Sequence, residues 1–563
     1  MSKEKLHELL KIWMKEYEEA IKRVPERKEF VTPSGIPLKP IYTPLDLGKD
    51  VYEHYIENVG FPGRDPYVRG VYTSMYRSRI WTKRLLTGFG SPEQANERIK
   101  LMIKAGETGI NIPAPSISMR GLDTDQAAEM YDIGYIGLYG ANLDTIEDLK
   151  IMMQDIPIDK ISVNYSDPGP FITIAMHFVL GKLRGISWDK LRGTTNQADC
   201  YSHWVACWSF VLFPLEAHLK LTLDHFKWCV ENAPQWWPLS IIGQHMSQAG
   251  ATPVQELAFT LASGFDYLKR LIEMGIPADK AASRISAFFD GQIYLFEQVA
   301  KLRAARRIWS KVLKERFGVK DPRARQLRIH VQTSGVELTS KQVLNNIVRV
   351  TIQALGAILG GANSLHTDSY DEALCVPSRK AQIVALMTQH ILSEETGVAD
   401  VIDPLGGSYF VEWLTDEMEQ RALEYIYKIE DMGGMLEAVR KGFIQREIAK
   451  SAYQYHKEVM ERKRIMVGIN EYVTEEEEPE IEYPKPDPEL VKKQIERTKK
   501  IRRERDQKKA EDALNVLREV ASGEKEGSIF QAVIDCVEAC CTRGEIVKTL
   551  QEVFGVGKPK VYL

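Results

Sequence analysis

The chain has 563 residues, of which 44% are hydrophobic and 27% are charged, and its net charge is -4. This composition is typical of a globular protein and offers no basic surface for nucleic acid. No apolar run reaches the ~18 residues that a transmembrane helix requires, and the N-terminus lacks the apolar segment of a signal peptide. We therefore expect a cytoplasmic protein with reduced cysteines that binds neither nucleic acid nor a membrane.

Residues 1–45 begin with a charged amphipathic helix and continue with the Pro-rich segment VTPSGIPLKPIYTPLDL. Such a segment favours extended backbone and cannot form a core of its own. We expect an N-terminal arm that wraps around a partner.

Residues 46–405 alternate between short apolar runs and longer amphipathic segments. LSIIG precedes PVQELAFTLASGFDYLKRLIEM, and LRIHVQ precedes NNIVRVTIQALGAILG. Repeated strand-then-helix order produces a parallel sheet, and seven or eight repeats close into a barrel. The sequence therefore predicts an α/β fold, a (β/α)8 TIM barrel, over residues 46–405.

Residues 406–563 show helical periodicity, interrupted by the acidic stretch TEEEEPEIEYPKPDPE and the basic run VKKQIERTKKIRRERDQKK. A solvated helix face explains the basic run, and a surface for a partner chain is the alternative. We predict a helical C-terminal region that makes subunit contacts.

Polar side chains follow several of the predicted strands. They occur in LSIIGQHMSQAG at 239–250, SRISAFFD at 283–290, LRIHVQTSG at 327–335 and SLHTDSYDEA at 364–373. Because α/β barrels build their sites at the C-terminal ends of the strands, these segments predict one pocket that contains His245. No H-E-x-x-H motif or clustered ligand set is present, so we expect no metal site in this chain.

These segments, together with RGVYTSMYRSRIWTKRLLTGFG at 69–90 and VIDPLGGSYFVE at 401–412, resemble the large catalytic chain of the methylmalonyl-CoA mutase family. The likeness runs from Arg69 to the C-terminus. It implies an isomerase that moves a CoA thioester carbonyl group between neighbouring carbons through radicals, started by adenosylcobalamin. A closed, dry barrel would protect such radicals.

The resemblance assigns the two residues that follow the LSIIG strand to catalysis. His245 matches the histidine that hydrogen-bonds the thioester oxygen in this family, although a core histidine without that role is the alternative. Gln244 stands where the methylmalonyl-CoA mutases have a tyrosine, and its amide can both donate and accept.

Other binding residues are implied in the same way. Matches to substrate or CoA contacts are Tyr72, Met75, Arg79, Thr195, Gln197, Arg284 and Ser286. Matches to contacts with the adenosyl group or the corrin ring are Gly88, Gln248, Gln332, Asp368 and Glu372. One residue is inserted in RGTTNQAD relative to the family, so the register of Thr195 and Gln197 is open by one position.

The lower ligand of cobalt must come from elsewhere. Family members bind cobalt through a histidine in Asp-x-His-x-x-Gly, and none of the 11 histidines here has an aspartate two residues before it. We therefore expect a separate small cobalamin-binding subunit as partner. No phosphate-loop motif is present either, which leaves a G-protein chaperone open as a separate partner.

The residues that bind the substrate carboxylate in methylmalonyl-CoA mutases are replaced. Leu86 falls at the tyrosine position, and Cys207 or Trp208 falls at the arginine position, depending on the insertion. Burying an unpaired carboxylate costs about 3 to 5 kcal/mol, or roughly two to three and a half powers of ten in binding. The sequence predicts a branched acyl-CoA without a free carboxylate. The stretch PAPS at 113–116 also lacks the acid expected near there in 2-hydroxyisobutyryl-CoA mutases, which weakens that assignment relative to an isobutyryl-CoA mutase.

Three alternatives stay open. The substrate pair could be methylmalonyl-CoA and succinyl-CoA, which family frequency favours. The barrel could be a catalytically silent assembly or binding subunit, against which His245, Gln332 and Glu372 count. It could also be an unrelated hydrolase or lyase that uses His245 and Glu372 as acid and base.

Overall fold

The computed structural model describes residues 2–26, 29–113, 115–475 and 479–559. Within these ranges, nine short strands lie in two parallel sheets. They are β1 (Thr82–Lys83), β2 (Gly109–Pro113), β3 (Ser162–Ser166), β4 (Gly193–Thr195), β5 (Trp236–Trp237), β6 (Leu239–Ile242), β7 (Ile285–Gly291), β8 (Ile329–Thr333) and β9 (Ser364–His366).

The two sheets join into one closed barrel. One sheet has the order β1-β9-β8-β7-β6 and the other β2-β3-β4-β5. Beyond β1, Leu86 pairs in parallel with Asn111 of β2, and the N–H of Thr87 donates to the Asn111 carbonyl at 2.7 Å. On the other side, only Pro238, which has no N–H to donate, separates β5 from β6. Counting β5 and β6 as one interrupted strand gives the eight strands of the predicted TIM barrel, which is confirmed.

Helices follow the strands and surround the barrel. Those up to the end of the barrel are α1 (Ser2–Arg23), α2 (Val51–His54), α3 (Pro92–Lys104), α4 (Thr124–Met130), α5 (Ile146–Met152), α6 (Ile172–Leu183), α7 (Cys200–Ala206), α8 (Leu215–Asn232), α9 (Gln244–Gln248), α10 (Pro253–Glu273), α11 (Ala278–Ala282), α12 (Leu295–Glu315), α13 (Asn345–Leu359) and α14 (Arg379–Glu394). Within the described ranges, no helix is long and apolar enough to cross a membrane.

Further helices complete the C-terminal region. They are α15 (Tyr409–Asp431), α16 (Met435–Arg440), α17 (Phe443–Met460), α18 (Pro488–Glu504), α19 (Gln507–Ser522), α20 (Ile529–Glu538) and α21 (Arg543–Phe554). Arg543 at the start of α21 donates to Asp167, which follows β3, at 3.1 Å. Arg497 of α18 donates to buried Asp148 of α5 at 2.8 Å. These charge pairs fasten α21 to the loop after β3 and α18 to α5.

Part of the N-terminal arm packs on the barrel of its own chain. The hydroxyl of Thr32 donates to buried Glu297 of α12 at 2.8 Å, and the N–H of Val254 donates to Ser34 at 3.1 Å. The ring of Tyr42 lies 4.6 Å from that of Trp413 on α15. Residues 32–42 are therefore held by this chain, and partner contacts of the arm remain a prediction.

Candidate active site

A cavity of about 300 Å³ opens at the N-terminal ends of the strands and enters the barrel. Barrels of this type usually fill their interior with branched apolar side chains. Here the cavity is lined by small polar side chains, among them Ser162, Asn164, Thr194, Asn196, Ser240, Ser286 and Ser364. The short side chains leave a polar channel along the barrel axis.

Several residues that the sequence assigned to CoA or substrate lie at this channel. Tyr72, Met75, Arg79 and Ser286 line it. Arg284 lies beside them, where its guanidinium donates to the Trp236 carbonyl at 2.9 Å. Burial is the main cause that lowers the pKa of Arg284, and the nearby charge of Arg328 adds to it.

Arg84 lines the same channel and was not anticipated from the sequence. One terminal nitrogen donates to Ser162 at 2.8 Å, whereas its Nε is buried without a partner. Burial lowers the pKa of Arg84 to about 10. Its neighbours Asn111 and Asn164 bond to each other at 3.1 Å. The alternation of polar residues in SVNYS, at 162, 164 and 166, was the signal that could have revealed this face.

The structure places Thr195 outside the channel. Its hydroxyl lies 2.8 Å from Nε2 of His225 on α8, and the indole N–H of Trp236 donates to it at 3.0 Å. Its neighbour Thr194 lines the channel instead. Gln197 is buried at the C-terminal side, 2.9 Å from Nε2 of His203. The inserted residue in RGTTNQAD therefore moves the channel-facing threonine by one position.

His245 lies beyond the C-terminal end of β6, on the short helix α9, and is not among the described residues that line this cavity. Its Nδ1 is 3.1 Å from the hydroxyl of Ser202, and the ring of Phe210 stacks on it at 5.9 Å. Burial lowers the pKa of His245 to about 4. The imidazole is therefore neutral at pH 7, and Ser202 and Phe210 hold its orientation.

Neutral groups surround His245. Gln244 is buried next to it, and the pKa of neighbouring His203 is also lowered by burial. Cys207 packs with Met119 and Phe210, whereas Trp208 is 44% exposed and donates to the Trp204 carbonyl at 3.2 Å. The structure thus brings Cys207 to this region and directs Trp208 outward.

Leu86 and Gly88 continue β1 along the barrel wall. The N–H of Leu86 donates to Nδ1 of His366 at 3.0 Å. A side chain at Gly88 would meet the Pro113 ring at 3.0 Å, so glycine keeps this approach open. Pro113 ends β2 and the Ser116 N–H bonds to the Tyr139 carbonyl at 3.3 Å, while Ala114 lies outside the described residues.

The proposed adenosyl-binding residues meet at the C-terminal ends of β8 and β9. The amide of Gln332 donates to Oδ1 of Asp368 at 3.3 Å, and Nε2 of His366 lies 2.9 Å from the same oxygen. Oδ2 of Asp368 is buried and has no hydrogen-bond partner among the described residues. Burial, with the charges of Asp368 and Asp371, holds the pKa of Glu372 well above its usual range. An unsatisfied acceptor beside a second carboxyl group can receive two hydroxyl donors.

Gln248 lies over a buried carboxyl group at the same end of the barrel. Its amide donates to Asp290 at 3.3 Å, and the hydroxyls of Ser247 and Ser334 donate to Asp290 at 2.8 and 2.7 Å. Burial, with the charge of Glu256, raises the pKa of Asp290 to about 8. This network fixes the orientation of Gln248 toward the C-terminal face.

Comparison with known proteins agrees with this architecture. The sequence model of the methylmalonyl-CoA mutase family matches residues 31–556. The chain is 40% identical to the 2-hydroxyisobutanoyl-CoA mutase large subunit of Aquincola tertiaricarbonis, over 95% of this chain and 94% of that one. It is 37% identical to the methylmalonyl-CoA mutases of Mus musculus and Rhizobium meliloti, which it covers over 70% and 75% of their lengths. These relatives are named mutases, which are isomerases, and the chain belongs to the methylmalonyl-CoA mutase family.

Proposed function

We propose that this chain is the catalytic large subunit of an adenosylcobalamin-dependent acyl-CoA mutase that acts on a branched acyl group without a free carboxylate. A separate small subunit would supply the lower ligand of cobalt, and a G-protein chaperone would be a further separate chain. The observation that carries the proposal is the barrel cavity lined by small polar side chains, together with the buried, neutral His245 that follows β6.

His245 would stabilise the migrating thioester group as a neutral hydrogen-bond donor. In this role the hydroxyl of Ser202, 3.1 Å away, would donate to Nδ1, and Nε2 would carry the proton. An imidazole with a pKa of about 4 does not carry a charge at pH 7, so it donates a hydrogen bond without transferring a proton to bulk water. Gln244 would orient the acyl group through an amide that does not ionise.

The residues at the ends of β8 and β9 fit the adenosyl group. The free Oδ2 of Asp368 and the carboxyl group of Glu372 would accept the ribose hydroxyls, and Gln332 would fix Asp368 in place. When bound, adenosylcobalamin supplies the radical that starts the rearrangement. The barrel would then exclude water and hold the substrate in register.

The choice of an uncharged acyl group rests on Leu86 and Cys207. Neither side chain can pair with a carboxylate, and burial raises the pKa of the Cys207 thiol, which keeps it neutral. Among the relatives, the large subunit from Aquincola tertiaricarbonis is named for 2-hydroxyisobutanoyl-CoA, whose acyl group carries no carboxylate. The 2-hydroxyisobutanoyl group is a branched acyl group that carries a hydroxyl, so it belongs to the class of acyl groups proposed here.

The two-chain model is tested by titrating adenosylcobalamin into the purified chain, alone and with the small cobalamin-binding subunit. We expect tight binding and turnover of a branched acyl-CoA only when both chains are present. Tight cobalamin binding and full turnover by this chain alone would overturn the two-chain model. The matched control is the pair of chains with His245→Ala, which should bind the cofactor with kcat lowered by roughly 10² to 10⁴.

A further inference from the structure

One buried carboxyl group joins the two elements that carry Ser202 and His245. Asp199 lies shortly after β4 and caps the N-terminus of α7, where its Oδ1 accepts the N–H of Tyr201 at 3.1 Å. Its Oδ2 accepts the N–H of Ile242, the last residue of β6, at 2.9 Å. Asp199 therefore ties the start of α7 to the end of β6, three residues before His245.

The same carboxyl group is held by a third element. The hydroxyl of Tyr267 on α10 donates to Oδ1 of Asp199 at 3.1 Å and accepts the N–H of Cys200 at 2.9 Å. Asp199, Tyr267 and Cys200 are all buried. Because α10 is a long helix that packs on β6 and β7, it gives the carboxyl group a rigid support.

Asp199 accepts these hydrogen bonds as an anion. Burial raises its pKa to about 6, although the hydrogen bonds oppose this shift, so the carboxyl group is mostly ionised at pH 7. No lysine, arginine or histidine in the described part of the chain forms an ion pair with it. The N–H and O–H donors alone stabilise its charge, and hydrogen bonds to a charged acceptor are roughly twice as strong as neutral ones.

The helix that Asp199 caps brings two side chains to His245. The hydroxyl of Ser202 lies 3.1 Å from Nδ1 of His245, and the ring of His203 lies 5.7 Å from the imidazole. Both residues lie within four positions of Asp199, on a helix of seven residues. A displacement at the start of this helix therefore moves both side chains relative to His245. In an active site, a misplacement of about 1 Å can lower the rate roughly 100-fold.

We propose that Asp199 is a positioning residue that fixes Ser202 against His245 by holding the start of α7 to the end of β6. This inference rests on the proposed function, since it takes His245 to act on the thioester group. Asp199 ends the segment RGTTNQAD and was not assigned a role from the sequence.

The first test is Asp199→Asn, which keeps the size of the side chain but replaces one acceptor by a donor. The new N–H₂ group would face the N–H of Ile242 or of Tyr201 and break one side of the link. In the two-chain complex, on its best acyl-CoA substrate, kcat should fall about 10- to 100-fold. Dissociation constants for CoA and adenosylcobalamin should change less than about twofold, because Asp199 contacts neither ligand. An unchanged kcat, or an equal loss of ligand affinity, would overturn the inference.

The matched control is Asp148→Asn, which makes the same change at another buried aspartate. Asp148 lies at the start of α5 and accepts the N–H of Thr145 at 2.9 Å. Both variants should have a lowered melting temperature, but only Asp199→Asn should have a lowered kcat. A similar fall of kcat in both variants would show that lost stability explains the effect, and would overturn the inference.

The imidazole chemical shifts of His245 test its position without turnover. In the isolated chain, Asp199→Asn should shift the His245 resonances, which are assigned by their loss in His245→Ala, whereas Asp148→Asn should leave them in place. If Asp199→Asn does not fold, Tyr267→Phe removes one donor to Asp199 and should shift the same resonances. Resonances that stay in place in the folded variant would overturn the inference.

A double-mutant cycle tests whether Asp199 acts through Ser202. Asp199→Asn should lower kcat much less when Ser202 is already Ala, because the contact that it positions is then absent. Additive losses of kcat would contradict this route. If the unmodified complex rearranges no acyl-CoA but the His245 resonances shift as expected, the proposed function fails and the positioning role of Asp199 stands.

Discussion

The hydroxyl of Ser202 on α7 lies 3.1 Å from Nδ1 of His245, and this contact restrains the orientation of the imidazole. His245→Ala should lower kcat by roughly 10² to 10⁴ with little change in CoA affinity. Ser202→Ala should lower kcat by about tenfold. The imidazole of His245 remains as the hydrogen-bond donor, but Ser202 no longer restrains its tautomer and ring orientation. Steady-state kinetics and CoA titrations check both changes, and unimpaired His245→Ala turnover would refute the role of His245.

Activity should not depend on the protonation of His245 at neutral pH. Its pKa is about 4 in the folded chain and about 6.5 when unfolded, so the unfolded chain binds the additional proton between these values. The stability that His245 contributes is therefore complete above pH 6.5 and falls as the pH falls toward 4. Imidazole chemical shifts across pH 3 to 8 measure this pKa directly. A value above 6 would contradict a neutral, buried donor.

Thr194 and Thr195 provide a matched pair that tests the channel register. Thr195→Val should cost about 1 to 3 kcal/mol of unfolding free energy, because it leaves His225 and Trp236 without their partner. Its KM should stay unchanged. Thr194→Val should leave stability nearly unchanged and raise KM, because Thr194 lines the channel. Denaturant unfolding measures the stability of both variants, and steady-state kinetics measures their KM. A raised KM for Thr195→Val with a loss of stability for Thr194→Val would place Thr195 in the channel.

Asp368→Asn should weaken the hold on the adenosyl group. The carboxylate accepts bonds from His366 and Gln332 and keeps one oxygen free, whereas an amide offers a donor there. In the two-chain complex we expect about 10-fold or greater loss of adenosylcobalamin affinity, with the melting temperature nearly unchanged. Hydroxocobalamin, which lacks the adenosyl group, is the control ligand and should bind as before. Equal losses for both cobalamins would contradict a ribose contact.

Restoring a carboxylate-binding pair should change substrate choice. Leu86→Tyr combined with Cys207→Arg should raise the ratio of kcat/KM for methylmalonyl-CoA over isobutyryl-CoA by at least about tenfold. Leu86→Tyr combined with Trp208→Arg is the control, because Trp208 is 44% exposed and points outward. A larger gain with Trp208→Arg would show that the insertion shifts this helix differently.

The barrel could be predicted from the sequence because the alternation of apolar strand segments with amphipathic helix segments is visible even where the strands are short. β6 was predicted from LSIIG, whereas the two residues of β5 were not, since Pro238 separates them from β6. At the candidate site, motif matching assigned roles to Glu372 and to His245 and Asp368, which lie within three residues of the ends of β6 and β9; these roles stay predictions. It could not locate Ser202, which reaches His245 from a neighbouring helix.

Long-range contacts explain most of what the sequence left open. Tyr72 and Arg328 are separated by 256 positions in the chain and meet only because the barrel closes. Arg84 directly follows β1 and matches no motif. It becomes a candidate binding residue only in the structure, where its buried Nε has no hydrogen-bond partner among the described residues. The placement of Thr195 depended on one inserted residue, and in a strand a shift of one residue turns a side chain to the opposite face.

The central claim, an acyl-CoA mutase for branched acyl groups without a carboxylate, is tested most directly by comparing substrates. The measurement is kcat/KM of this chain with its small subunit and adenosylcobalamin on isobutyryl-, 2-hydroxyisobutyryl-, pivalyl- and methylmalonyl-CoA, with products separated by chromatography. We predict that one of the uncharged acyl groups gives the highest kcat/KM and that methylmalonyl-CoA is at least about 100-fold poorer. The highest kcat/KM on methylmalonyl-CoA would contradict the account and require a cation at a position other than 86 or 207, such as Arg84, to reach the acyl group.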